Sequence, residues 1–213
     1  MEKLFEKLKE EFPDSIKDVF PWPEPYCRNL KKVKAIVLGA DPSYYPKYGE
    51  IFKSFQFVFE MEMYDKRESN PYFDKILNNL ELIGLDLDTI YVENVCRNYF
   101  TKTTYEHSKA WKEAAKVWIP HLKDELDRKF PDMNIPVLMT TEIIYESLLD
   151  EQSDKLDAVA LYENPKLVPI AAENNALARP LIPLYRHPQY TLKDAKWEVY
   201  RTMVAEYLNK EKK

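Results

Sequence analysis

Apolar residues recur along this chain at two spacings, and the spacings predict strands and helices in alternation. Compact runs rich in β-branched residues predict strands at residues 33–39, 90–95, 136–140 and 180–185. Apolar positions three and four residues apart predict helices at residues 2–12, 71–83, 108–129, 142–149 and from about 191 to 208. The alternation predicts a three-layer α/β/α fold with a central, mostly parallel sheet. We expect one domain over residues 1–213, in which the charged and irregular residues 150–180 form a possible insertion.

Capping and breaking residues predict where the helices begin and end. Gly84 fits a C-terminal cap for the second helix, and Ser108 fits an N-terminal cap for the long third helix. Pro120 is expected to kink or divide that third helix. The last helix can be capped by Thr191 or Asp194.

The first predicted strand ends in a turn that carries a carboxylate. Gly39 is expected to adopt a backbone angle that a side chain would forbid, so that the chain can turn sharply there. Pro42 restricts the backbone of Asp41, which therefore should be held firmly at the end of the strand. In open α/β sheets this is where ligand crevices form. The pattern predicts a functional carboxylate at Asp41.

Polar side chains also mark the ends of two other predicted strands. Asn94 lies within the end of the second strand, and His187 follows the last one. If the strands are parallel neighbours, Asp41, Asn94 and His187 can converge on one crevice. Each of the three also has a structural interpretation. Asp41 can be a turn former, Asn94 a satisfied core or edge group, and His187 a structural residue before proline. Their order and spacing together favour a shared site.

Composition narrows the classes of protein that fit. With 213 residues and a net charge of −5, bulk charge does not favour binding to nucleic acid. Two cysteines favour neither a disulfide framework nor a four-ligand metal set, and a reducing cytoplasm is expected. We expect neither a signal peptide nor a membrane segment, and we expect a monomer. Basic residues near the motifs form either a local rim or a solvated surface: Arg28, Lys31, Lys32, Lys34, Lys47, Lys53, Arg97, Lys102, Arg186 and Lys193.

The ordered motifs resemble the uracil-DNA glycosylase superfamily over most of the chain. The resemblance is best with the monofunctional branch that has an aspartate in its first motif. It implies that Asp41 is the general base and that His187 stabilises the departing base. It further implies that Asn94 reads the edge of the base by paired hydrogen bonds. Phe55, or Phe57 if the loop holds another insertion, would stack on the flipped base.

The resemblance also implies a set of residues that line the base pocket. Ala40, Ser43 and Tyr44 fall on this loop, but the branch has Gln where this chain has Ala40. Ser43 stands where a tyrosine normally excludes the methyl group of thymine. The selectivity for uracil over thymine is therefore left open by the sequence.

A last group of residues is expected to contact DNA. Arg186, Tyr190 and Leu192 surround the final motif, and Leu192 or Tyr190 could insert into the gap that a flipped base leaves in the duplex. Gln189 and Tyr190 replace the Ser-Pro pair of the family's DNA-gripping loop.

Taken together, the resemblance implies a DNA base-excision glycosylase. It would hydrolyse the N-glycosidic bond of a flipped uracil-like base, with DNA containing a damaged or deaminated base as partner and with no metal or cofactor. The first alternative is a catalytically weakened or inactive protein of the same fold that binds nucleic acid or a nucleobase. A second alternative uses Asp41 as a nucleophile on phosphate esters, which needs a metal, and the sequence offers no carboxylate pair beside Asp41.

Overall fold

A parallel four-stranded sheet forms the centre of the molecule. The computed structural model describes residues 2–42, 54–149 and 156–210. The strands lie in the order β2-β1-β3-β4, and they are β1 (Ala35–Gly39), β2 (Ile90–Asn94), β3 (Val137–Met139) and β4 (Leu181–Pro183). All neighbours in the sheet are parallel, and every strand residue is buried. Burial on both faces is typical of a sheet covered by helices on each side, so the predicted three-layer α/β/α fold is confirmed.

The helices fall close to the predicted ranges. Within the described residues they are α1 (Glu2–Glu11), α2 (Glu62–Asp65), α3 (Pro71–Leu82), α4 (Ser108–Lys129), α5 (Glu142–Leu148), α6 (Ala158–Glu163) and α7 (Glu198–Asn209). Gly84 has a φ of 80° just beyond α3, as expected of a glycine that ends a helix. No helix in these ranges is long and apolar enough to cross a membrane.

Three details of the helices differ from the prediction. The residue that caps α4 is His107, and Ser108 is already helical. Pro120 does not divide α4, which runs through it from Ser108 to Lys129, so of the two predicted outcomes the division is wrong. Trp111 and Trp118 before it and Leu122 after it are all buried. Asp194 caps a short 3-10 turn, so α7 begins only at Glu198.

The order of the strands determines where a ligand crevice can form. From β1 the chain passes to β2 on one side, and after β2 it crosses to β3 on the other side of β1. In sheets of this kind the crevice lies beyond the carboxyl ends of the two strands where the direction switches, here β1 and β3. These carboxyl ends form one edge of the sheet, and the same edge holds Asp41, Asn94, Thr140 and Arg186.

Candidate active site

Asp41 lies directly after β1 and is held in place by its neighbours. The Ala40 carbonyl accepts a hydrogen bond of 2.9 Å from the Cys96 N–H, which ties the turn to the chain after β2. The Thr104 hydroxyl donates to Oδ1 of Asp41 at 2.6 Å. The side chain is almost buried, with 6% of its residue surface exposed. The structure therefore holds this carboxylate firmly at the edge of the sheet, in the place where a crevice is expected.

Two clefts of different character meet at Asp41. The first, of about 410 Å³, lies between the ends of β1 and β3, and we call it the polar cleft; its lining includes Ala40, Asp41, Thr104, Thr140, Thr141 and Arg186. The second, of about 100 Å³, is the aromatic cleft, lined by Asp41, Pro42, Phe55, Phe59, Glu60 and Tyr72. Phe59 and Tyr72 also line the polar cleft, so the two clefts are contiguous. A ligand with an aromatic part and a polar part can therefore place its junction at Asp41.

Arg186 and Tyr72 form one wall of the polar cleft. The Arg186 N–H donates to the Thr140 carbonyl at 3.0 Å, which fixes the chain after β4 against the chain after β3. The Arg186 Cζ lies 4.5 Å from the centroid of the Tyr72 ring, within the range of a cation–π contact. Burial raises the pKa of the Tyr72 phenol; Arg186 opposes that rise, and Asp41 adds to it. Tyr72 is therefore a protonated hydrogen-bond donor at neutral pH.

His187 lies on a neighbouring cleft. It is exposed, and its Nδ1 accepts a long hydrogen bond of 3.4 Å from the Gln189 N–H. This third cleft, of about 500 Å³, shares Tyr72, Thr140, Thr141 and Arg186 with the polar cleft, and we call it the histidine cleft. The structure thus brings Asp41 and Arg186 into one cleft and places His187 on the adjoining one.

Asn94 lies beneath an aromatic side chain that the sequence did not single out. It pairs in register with Gly39 and is 2% exposed, and it lines none of the three clefts. Its Oδ1 is buried and has no hydrogen-bond partner among the described residues. Phe59, which has a φ of 57°, contacts the same place. In this arrangement the amide of Asn94 is not presented to a base.

Gly39 is needed because neighbouring side chains occupy the place of a Cβ, and not for a special backbone angle as predicted. Its φ is not in the left-handed region, so no special backbone angle is used. A Cβ on Gly39 would lie 2.3 Å from Oδ1 of Asn94 and 2.3 Å from Cζ of Phe59. The absent side chain lets Asn94 and Phe59 close over the end of β1.

Gly39→Ala is expected to lower the free energy of unfolding by about 1–3 kcal/mol, because the added methyl group overpacks this contact. Denaturant unfolding followed by circular dichroism measures the change. In a Phe59→Ala background the clash with the Phe59 ring is absent, so Gly39→Ala is expected to cost less stability there than in the wild type. A Gly39→Ala protein as stable as the wild type would contradict the tight approach seen here.

Two predicted DNA contacts lie in the core. Tyr190 is 5% exposed, with its ring centroid 4.6 Å from that of Tyr162. Leu192 is completely buried, and its N–H donates to Oδ1 of Asn79 at 2.9 Å. Tyr190 packs in the aromatic cluster around Tyr162, and Leu192 belongs to the hydrophobic core. As they lie here, neither can insert between bases, and the predicted wedge gains no support.

The remaining aromatic and loop predictions divide into three outcomes. Phe55 lines the aromatic cleft with Asp41, as a stacking residue would. Phe57 instead lies edge-on against Tyr26, with ring centroids 5.5 Å apart. Ser43 and Tyr44 lie outside the described residues.

The basic residues do not form a continuous rim at this edge. Those that precede β1 lie at the opposite edge of the sheet, about 17 Å away along five strand residues: Arg28, Lys31, Lys32 and Lys34. Arg97 is buried in ion pairs with Glu93 and Glu125. Lys102 and Lys193 are exposed, and Lys47 and Lys53 lie outside the described residues. Of the predicted rim, Arg186 is the member that lines the clefts described above.

Comparison with known proteins identified no relative of this chain. Neither a protein-family model nor a curated protein matches the chain. Among the described residues, no three His, Cys, Asp or Glu side chains come together as a metal-binding group. The structure shows a three-layer α/β/α protein with clefts at the switch point of its sheet.

Proposed function

We propose that this protein hydrolyses an N-glycosidic bond, with Asp41 as the catalytic carboxylate. The observation that carries the proposal is the position of Asp41, where the aromatic cleft and the polar cleft meet. A heterocyclic base can stack against Phe55 and Phe59, which leaves its sugar beside the carboxylate. The polar part of the substrate then extends toward Arg186.

The residue types suit the charges that develop in this reaction. As the bond between C1′ and the base nitrogen breaks, its electron pair leaves with the base and the sugar becomes cationic. A fixed carboxylate stabilises that cation and orients a water molecule for attack on C1′. The new C1′–O bond forms as the water proton passes to Asp41. The hydroxyl of Thr104, 2.6 Å from Oδ1, keeps the carboxylate in this orientation.

The departing base needs a hydrogen-bond donor for its negative charge. The resemblance to uracil-DNA glycosylases assigns this role to His187, which lies on the histidine cleft. The geometry adds Tyr72 as a candidate, because this residue lines the aromatic, polar and histidine clefts alike. Arg186 against its ring adds positive charge at the same place.

The first substrate to test is DNA, because the resemblance implies a flipped uracil-like base. Single- and double-stranded oligonucleotides that carry uracil, a thymine mismatch or a deaminated purine are incubated with the wild type and with Asp41→Asn. Free nucleosides and nucleotides of the same bases are incubated in parallel. Chromatography of the released base measures the reaction. Base release by the wild type and not by Asp41→Asn is the expected result, and no release from any of these substrates would reject the proposal.

One observation favours an inactive binding protein as the second candidate. Phe59 lies against Gly39 and Asn94, in the place where the amide of Asn94 would otherwise meet a base. A binder without activity would retain a base-containing ligand in equilibrium dialysis and release no free base. The same substrate series therefore separates the two functions.

Thr104→Val is expected to lower kcat by about 10-fold with little change in KM, because Asp41 loses the hydroxyl that orients it. Thr104→Ser keeps a hydroxyl and is expected to retain most of the activity. The comparison of kcat with KM distinguishes orientation of the carboxylate from binding of the substrate. Equal activity of the valine and serine variants would contradict this role for Thr104.

A further inference from the structure

We infer that the substrate of this site is a free nucleoside monophosphate whose single phosphate binds at Arg186. The inference rests on the proposed N-glycosidic chemistry and names its substrate class. The base would occupy the aromatic cleft and the sugar would lie at Asp41. The phosphate would lie where the polar cleft meets the histidine cleft, since Arg186 lines both.

Arg186 has the features of a phosphate ligand. It makes no ion pair with a carboxylate among the described residues, and its guanidinium is oriented by the Tyr72 ring. Guanidinium groups bind phosphate through two parallel hydrogen bonds. Lys75 and His187 line the histidine cleft with it. The acidic residue there is Glu142, whose Oε1 accepts a hydrogen bond of 3.2 Å from the Ala158 N–H.

A buried hydroxyl lies beside the same position. Thr141 lines both the polar cleft and the histidine cleft, and its Oγ1 is buried without a hydrogen-bond partner among the described residues. An unpaired buried hydroxyl costs free energy, which a ligand that accepts a hydrogen bond from it recovers. A phosphate oxygen is such an acceptor.

The charges at this edge suit one phosphate better than a DNA backbone. The other cation of the polar cleft, Lys112, is already paired with Glu146 at 2.6 Å. DNA-binding proteins neutralise several phosphates along a positively charged surface. Here Arg97 is buried in ion pairs, and Lys34 lies at the opposite edge of the sheet. The side chain of Leu192, predicted to enter a duplex, is buried in the core.

The reaction would consume one water molecule and yield a free base and a pentose phosphate. The C1′–N bond breaks with its electron pair on the base, and the water oxygen bonds to C1′. Asp41 takes the water proton, and the base gains a proton from a donor in the adjoining clefts or from solvent. The phosphate takes no part in bond breaking, so its contribution is binding energy that positions C1′ at Asp41.

Equilibrium binding to Asp41→Asn tests the inference without turnover. The ligands are the deoxynucleoside monophosphates of uracil, cytosine, guanine and hypoxanthine, each with its nucleoside, and single-stranded and duplex oligonucleotides that contain the same bases. Calorimetry is expected to give at least one monophosphate a Kd at least 10-fold below that of its nucleoside and of the matching oligonucleotide. Equal binding of monophosphate and nucleoside for all four bases, or tighter binding of an oligonucleotide, would overturn the inference.

Adding Arg186→Met to the Asp41→Asn protein is expected to raise the Kd of the monophosphate at least 10-fold, to the Kd of its nucleoside. Lys193→Met removes an exposed cation close by in the sequence and is expected to leave the Kd unchanged. An Arg186→Met protein that still prefers the monophosphate would overturn the inference.

Turnover by the wild type separates the failure of this inference from the failure of the proposed function. Base release from oligonucleotides alone would uphold the N-glycosidic chemistry and reject the nucleotide. Tight binding of a monophosphate without base release would uphold the phosphate subsite and reject the chemistry.

Discussion

Asp41→Asn is expected to lower kcat for base release by about 10²–10⁴-fold, the usual contribution of a positioned general base. The asparagine has the same size, and its Oδ1 can still accept the hydrogen bond that Thr104 donates at 2.6 Å. It carries no charge to stabilise a cationic sugar and cannot take the proton of the attacking water. Single-turnover measurement with the substrate that the wild type hydrolyses gives the rate of the chemical step directly.

The matched control for this variant is Asp124→Asn. Asp124 is exposed on α4, outside the clefts described above, and its replacement removes the same charge from the protein. Its kcat is expected to stay within about 2-fold of the wild type, since surface substitutions rarely disturb a distant site. If Asp41→Asn keeps more than a third of the wild-type rate, Asp41 is not the catalytic group.

The sequence predicted the sheet well because each strand carries its own local signal. β1 is a continuous apolar run, and β2 opens with the apolar residues 90–92 before Glu93 and Asn94; such runs are typical of strands buried on both faces. The parallel arrangement followed from the helices between them. The same reasoning placed Asp41, Asn94 and His187 at one edge, because each lies at the end of a strand or a few residues beyond it. Asp41 and His187 line adjoining clefts there, and Asn94 lines none of the three clefts.

The rest of the site depends on tertiary packing that no local pattern reports. Phe59 comes from a turn, Tyr72 from the first turn of α3, and Thr104 from the loop before α4, and only the folded chain brings them to Asp41. Thr140 and Thr141 could have been predicted, because they directly follow β3 at the same edge.

Asn94 shows a second limit of reasoning from strand ends. The sequence placed Asn94 at the correct edge of the sheet, but its side chain was expected to face an open crevice. Register pairs it with Gly39, and the absent side chain of Gly39 leaves room for Phe59 to cover the amide. A glycine that is used for space gives the same sequence signal as one that is used for its backbone angle.

Arg97→Met is expected to lower the free energy of unfolding by about 3–5 kcal/mol, the cost of breaking a buried ion pair on one side. Arg97 donates from Nε to Oε1 of Glu93 at 3.1 Å and from Nη2 to Oε2 of Glu93 and to Oε2 of Glu125. Glu93 is completely buried in β2, so the variant leaves its carboxylate without the cation that compensates it. Denaturant unfolding measures the loss, and Lys7→Met, which removes an exposed pair with Glu11, should change stability by only about 0.5 kcal/mol.

The pH dependence of this loss has a definite sign. Burial raises the pKa of Glu93, and Arg97 is the main influence that opposes the rise. Without Arg97 the pKa of Glu93 in the folded protein moves further above its unfolded value of about 4.3. The contribution of Glu93 to the stability of the variant is therefore fully present at low pH and is lost as the pH rises through the folded-state pKa. The deficit of Arg97→Met relative to the wild type should therefore be smaller at about pH 5 than at about pH 8.

A double variant separates the cost of a stranded charge from the cost of lost packing. Glu93→Leu combined with Arg97→Met removes both partners, so no uncompensated charge remains in the core. Its loss of stability is expected to be smaller than that of Arg97→Met alone. The two substitutions are then non-additive, because the second one relieves part of the cost of the first. If the double variant is less stable than Arg97→Met at every pH, the stability of β2 comes from the shape of these side chains and the ion pair contributes little to it.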